Sequence, residues 1–312
     1  MTVSSYSASI PTPPPRYYPD ERDERFMPAA HSPRSRRRIA HPPMQQADEE
    51  PRRLPELKTD VDDRDNLVTC VCPSGGAGLS VTASLLALSL GDRGRSCALV
   101  DADCMAGGLD VLLGIEREQG MRMSGIEAPL GKIEGEALVQ ELPCWQNVRV
   151  LGSDPWNGGA AQWWEVQAAI DALVQTQDVV VVDAGRGACL DQIPALARSP
   201  MLMLVELTVL GLARARSMMK TIARTRGRGS DSEALWLLGM HPRGSPQRSR
   251  RIGVAQAADY LGHEIVAALH PRTALAGALL DGVGIAKVPR EYRRTFEALA
   301  NGVEAVIGRG AA

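Results

Sequence analysis

Asn66-Leu67-Val68-Thr69-Cys70-Val71-Cys72-Pro73-Ser74-Gly75-Gly76-Ala77-Gly78-Leu79-Ser80-Val81 is the stretch on which the fold turns. Residues 67–72 form a short apolar run, and residues 81–90 beyond the turn read as a compact apolar helix. A strand that enters a glycine loop and leaves as a helix is the context a phosphate cradle requires. Gly75, Gly76 and Gly78 let backbone N–H groups converge on an anion, and the helix start adds the positive end of its dipole. Ser74, Ala77, Leu79 and Val81 complete the lining of that loop, and Ser80 stands where a hydroxyl would reach Mg²⁺.

Outward from this unit, short apolar runs recur at 96–100, 148–151, 179–182, 201–205, 234–238 and 265–268. Continuous apolar strands alternating with helical segments predict an α/β class: a mostly parallel sheet with helices on both faces, three layers in all, over residues 66–312. Residues 1–65 differ. They hold 11 of the 21 prolines, and their 11 basic and 12 acidic groups nearly cancel, with few branched aliphatics. Such a segment cannot bury enough apolar surface to offset its ordering entropy, so a disordered N-terminal tail is expected. Within it, the polyproline-like residues 10–15 and the four arginines of residues 34–38 are either docking features or a solvated leader.

The 312 residues are 44% hydrophobic but only 4% aromatic, so the core must come mainly from Ala, Leu and Val. A net charge of −2 excludes a globally basic nucleic-acid binder and a strongly acidic solvating protein. The longest apolar stretch, 201–213, is broken by Glu206, and the N-terminus has no apolar signal core, so a cytoplasmic protein is expected. The six cysteines lack a CxxC pair and the five histidines lack metal-ligand spacing, which leaves reduced thiols and no transition-metal centre. No G-x-S-x-G elbow is present, so serine-hydrolase chemistry has no support.

Charge is uneven along the chain. Residues 67–206 carry 8 basic and 17 acidic groups; residues 207–251 carry 10 basic and 2 acidic. Arg216, Lys220 and Arg224 recur at i, i+4 and i+8, one face of a helix. That stripe suits DNA phosphates, an anionic membrane, a dimer surface or plain solvent. Trp145, Trp156, Trp163 and Trp164 cluster in an aromatic-poor chain, as interface anchors or as core packing. In the last helix, 290–307, Phe296, Leu299, Val303, Val306 and Ile307 fit docking on the domain better than insertion into lipid.

The loop resembles the deviant Walker A sequence of the ParA/MinD family of SIMIBI P-loop proteins, KGGxGK[ST], in its glycine spacing and closing hydroxyl. Ser74 and Leu79 stand where that family has lysines. Leu99-Val100-Asp101-Ala102-Asp103, followed by Gly107 and Gly108, resembles the family's D-x-D switch, and Asp178-Val179-Val180-Val181-Val182-Asp183 its Walker B strand. The resemblance implies a P-loop fold, with ATP and Mg²⁺ as cofactors. It implies loop residues 74–81 at the phosphates, Ser80, Asp101 and Asp183 at the metal, and Asp103 as the residue that orients water. The family commonly has an Asn after the sixth strand to read adenine; here Leu238-Gly239-Met240-His241-Pro242 stands there with no Asn, and His241 is either a substitute or a plain loop residue.

Within the family the chain is similar to a lysine-less branch, the actinobacterial septum-site-determining (Ssd) proteins and the pilus-locus proteins CpaE and TadZ. That likeness implies a homodimeric spatial regulator that recruits division or Tad-pilus assembly proteins, with weak or absent ATP hydrolysis. It is expected in the cytoplasm, with peripheral attachment at the inner face of the plasma membrane as a variant. Two alternatives stand beside it. One is an active Mg-ATPase whose cation comes from elsewhere, with Arg186 and Arg93 as the nearest arginines. The other is a scaffold that binds no nucleotide.

Overall fold

The computed structural model describes residues 66–103, 108–129, 131–153, 161–226, 235–244 and 252–310, the final three as backbone only. The tail expected over 1–65, together with Trp156 and Gly107, lies outside them.

The described strands are β1 (Leu67–Val71), β2 (Cys97–Asp101), β3 (Cys144–Trp145), β4 (Val148–Leu151), β5 (Val179–Asp183), β6 (Met201–Glu206), β7 (Leu235–Met240) and β8 (Ile265–Leu269). They form one sheet in the order β3-β4-β2-β5-β1-β6-β7-β8. All its pairings are parallel except the short β3–β4 hairpin. The helices are α1 (Leu79–Gly91), α2 (Leu109–Leu113), α3 (Gly135–Glu141), α4 (Trp163–Thr176), α5 (Pro194–Arg198), α6 (Val209–Arg226), α7 (Val254–Leu261), α8 (Thr273–Leu280) and α9 (Arg293–Gly310).

The apolar runs are unbroken because both faces of the sheet are covered. Side chains alternate along a strand. Leu67 and Val71 of β1 point into one core with Leu173 of α4, Leu196 of α5, Leu212 of α6 and Leu261 of α7. Val68 and Cys70 point into the other, with Leu85 of α1 and Phe296 and Val303 of α9. The last helix is therefore part of the inner packing of the fold. Phe296, Leu299, Ala300 and Val303 are buried on it, as its apolar spacing predicts.

The tryptophans divide between the two expectations. Trp145 is buried and its indole N–H donates to the Ile285 carbonyl at 3.1 Å. Trp163 and Trp164, at the start of α4, stay 46% and 43% exposed and meet edge to face, so the core-packing expectation fails for this pair. Among the described residues, no helix is long and apolar enough to cross a membrane.

The topology also fixes where a ligand fits. β1 leads into α1 on one face, while its neighbour β5 leads toward α5 on the other. Connections that diverge in this way leave a crevice at the carboxyl ends of the strands.

Candidate nucleotide site

The glycine loop lies at that crevice. Cys72 N–H donates to the Gly185 carbonyl at 2.9 Å, and Ala102 N–H to the Asp183 carbonyl at 2.9 Å, so the turns after β1, β2 and β5 are tied together. Gly76 and Gly78 have φ of +74° and +97°, and a Cβ on either would meet nothing within 4 Å. The loop therefore needs glycine for its backbone, and its open side is free for a ligand. Among the described residues, no backbone N–H from Ser74 to Val81 donates to a backbone carbonyl. The Ser74 hydroxyl is buried there with no hydrogen-bond partner. Unbonded donors around an open cleft of about 720 Å³ suit an anion.

Three carboxylates share the cleft: Asp101, Asp103 and Asp183. Asp101 and Asp183 end neighbouring strands in direct register. Asp101 accepts from Asp103 N–H at 3.2 Å, Gly108 N–H at 3.4 Å and the Ser153 hydroxyl at 3.2 Å. Asp183 accepts from Gly185 N–H at 3.0 Å and from the Ser80 hydroxyl. The Asp103 carboxyl lies over Gly185, where a Cβ would collide with it. Burial, then the Asp183 charge, push Asp101 up to about 7. Burial also lifts Asp183 above the usual carboxylate range, with the Ser80 and Gly185 hydrogen bonds acting against the rise and the Asp103 charge adding to it. Buried acids without a cation are the donor set a hard divalent ion stabilises. The residues present fit Mg²⁺, which would be held by Ser80, Asp101 and Asp183 and would supply positive charge to phosphate oxygens.

These shifts carry a measurable consequence. An acid whose folded-state pKa is raised binds more protons folded than unfolded, so its contribution to stability falls as pH rises from about 4 to about 7. Asp101→Asn should raise the stability of the metal-free protein at pH 8 by roughly 2–4 kcal/mol and flatten the pH profile between 4 and 7. Unfolding curves in EDTA check this; an unchanged or lowered midpoint at pH 8 contradicts it.

No protein-family model matches the chain. The uncharacterized protein Rv3660c of Mycobacterium tuberculosis (strain ATCC 25618 / H37Rv) is 32% identical over 121 residues, which is 38% of this chain and 29% of that protein. The chain thus matches under a third of its relative's length. Among solved structures, the cell division ATPase MinD of Pyrococcus furiosus superposes with a TM-score of 0.58 at 22% identity, covering 78% of this chain and 99% of that one. A ParA family ATPase of Chlorobium tepidum TLS superposes with a TM-score of 0.57 at 14% identity, covering 79% and 98%. The chain has the fold of the ParA and MinD ATPases.

On this ParA/MinD fold, residues 74–81 all line the same cleft as Asp101, Asp103 and Asp183. The two arginines singled out in the sequence part company. Arg93 follows the carboxyl end of α1, about 20 Å of helix from the loop. It binds Asn301 and Glu304 of α9 at 2.7 Å each, so it is a tie between α1 and α9 and no candidate for the cleft. Arg186 lies across the loop itself: a Cβ on Gly75 would sit 3.4 Å from its Nε and Nη2.

Sequence reasoning missed Arg243, which also lines the cleft. The available signal was its place three residues past the end of β7, at the ligand edge of the sheet. A second hollow of about 420 Å³ adjoins the loop through Ala77, Gly78 and Val81. His241 and His270 stack in its wall with ring centroids 4.0 Å apart. Arg216, Lys220 and Arg224 do share an exposed face of α6, with Arg216 resting 4.9 Å over the Tyr260 ring.

Proposed function

We propose that the protein is a nucleotide-responsive spatial regulator of the ParA/MinD type. It binds Mg-ATP in the lysine-free loop, self-associates, and recruits a division or Tad-pilus machine, with weak or absent hydrolysis. One observation carries this reading: an open glycine loop with unbonded N–H groups faces three converging carboxylates in a single cleft. Such a cleft has the donors for phosphate and the acceptors for Mg²⁺. The neighbouring hollow, with its flat imidazole wall, has room for a base beside that loop. Ser74 and Leu79 supply no cation, and phosphoryl transfer depends largely on such charges. Binding is therefore favoured over turnover. The exposed basic stripe Arg216, Lys220 and Arg224 would let the assembly rest on an anionic surface, DNA or membrane.

A second reading, an active Mg-ATPase, draws on Arg186 and Asp103, which both face the cleft. Sedimentation of the full chain with and without Mg-ATP, with phosphate release followed on the same sample, separates them. The regulator reading expects a shift from monomer to dimer with ATP left intact. Steady turnover that Asp103→Ala removes favours the ATPase. No shift and no turnover contradict both and leave the scaffold.

A further inference from the structure

The guanidinium of Arg186 has an unusual position for an exposed arginine. It follows the Asp183-Ala184-Gly185 turn at the end of β5 and reaches back over the glycine loop. Its Nε, Nη2 and Cζ would lie 3.4, 3.4 and 3.6 Å from a Cβ on Gly75, so the Nε/Nη2 side of the guanidinium closes over that residue. Any larger side chain at 75 would contend for the space. Among the described residues, Arg186 has no carboxylate within ion-pair distance. Its fork of donors therefore stands free at the mouth of a loop whose own N–H groups are unbonded and whose buried Ser74 hydroxyl is unpartnered. Arg243 enters the same cleft from the end of β7.

We infer that Arg186, with Arg243 opposite, is the cationic clamp of a polyphosphate site, supplied within one chain to a loop that carries no lysine. The inference rests on the nucleotide reading above and deepens it by naming the residue that meets the phosphates. Arginine suits the task because its planar fork pairs two oxygens at once. Charge in the cleft sets a condition. Above pH 7, where Asp101 is ionised, the three carboxylates Asp101, Asp103 and Asp183 outnumber the two arginines, so a polyphosphate meets net negative charge until a divalent cation covers the carboxylates. Binding is thus expected only with Mg²⁺ present.

The test is calorimetric binding of Mg-ATP and of Mg-pyrophosphate to the full chain, the Arg186→Ala and Arg186→Lys variants, and a repeat in EDTA. The clamp expects Arg186→Ala to weaken both ligands by about 10- to 100-fold, Arg186→Lys to fall between, and EDTA to abolish binding. Arg186 is exposed, so an unchanged unfolding midpoint should accompany the loss and exclude misfolding. Unweakened ATP binding by Arg186→Ala overturns the clamp and leaves the nucleotide reading standing. Pyrophosphate binding that depends on Arg186, with no ATP binding by the unaltered chain, keeps the clamp and removes the nucleotide. Binding of neither ligand by the unaltered chain overturns both.

Discussion

Replacing Arg122 with alanine should cost about 3–5 kcal/mol of folding stability, one of the two largest effects expected from a single change in this chain. Asp110, in the first turn of α2, is 1% exposed, and Arg122 is its ion-pair partner through Nε. The same guanidinium donates to the Gly120 carbonyl at 3.1 Å and to the Ile115 and Glu118 carbonyls at 3.0 Å each. One side chain thus closes the whole turn that follows α2. Removing it takes the guanidinium charge away from a buried carboxylate and its donors away from the Gly120 and Glu118 carbonyls, and losing the partner of a buried acid costs more than the pair's own net contribution. A Cβ on Gly152 would collide with the Asp110 carboxyl, so the acid packs directly on the Gly152 backbone. Leu109 and Leu112 of α2 line the cleft at the glycine loop, and the variant should therefore also loosen one wall of it. Urea unfolding measures the loss. A change below about 1 kcal/mol would mean the carboxylate finds another way to be solvated.

Phe296→Ala is expected to cost a similar amount, about 3–5 kcal/mol. Phe296 is fully buried between α9 and the sheet, with Tyr292 one turn away at a ring distance of 6.3 Å and Leu299, Ala300 and Val303 continuing the buried face. Truncation removes most of an aromatic side chain from a packed core and leaves a cavity that rigid neighbours fill only in part. Thermal unfolding decides between two roles for this helix. A loss of this size means α9 is a structural layer whose apolar face is already occupied. A loss under about 1 kcal/mol means the helix detaches readily and its apolar face is available to lipid.

The parts of the fold legible in the sequence are those where the physics is local. The strand–glycine–helix unit at 67–91 could be read because both faces of a central strand are buried and the loop needs positive φ at Gly76 and Gly78. Most of the other strands were placed to within one or two residues. Their carboxyl ends ran further than the apolar run, since Asp101, Asp183 and Glu206 keep pairing with their neighbours. The hairpin of β3 with β4 was not legible: β3 has two residues, too few to show a period. The α8 helix, Thr273–Leu280, is apolar throughout, yet none of its residues is fully buried and Leu280 is 88% exposed. Composition alone cannot place such a helix inside or outside.

At the candidate site, the loop residues and the three aspartates were legible because they end or closely follow parallel strands and stand in motifs that resemble the family's. Arg186 was legible as a name and not as a position, since proximity in sequence served equally for Arg93. Arg243, the His241–His270 stack and the Asp110–Arg122 pair depend on contacts between separate turns, for which one sequence carries no local signal.

The central claim is that a loop without lysine still holds a nucleotide, and equilibrium binding of Mg-ATP to the full chain tests it most directly. Gly78→Val is the control, because a β-branched residue is strained at φ +97° and its side chain would fill the open side of the loop. Saturable binding that the substitution abolishes is the predicted result. No binding at millimolar ATP, or binding indifferent to Gly78→Val, would contradict it.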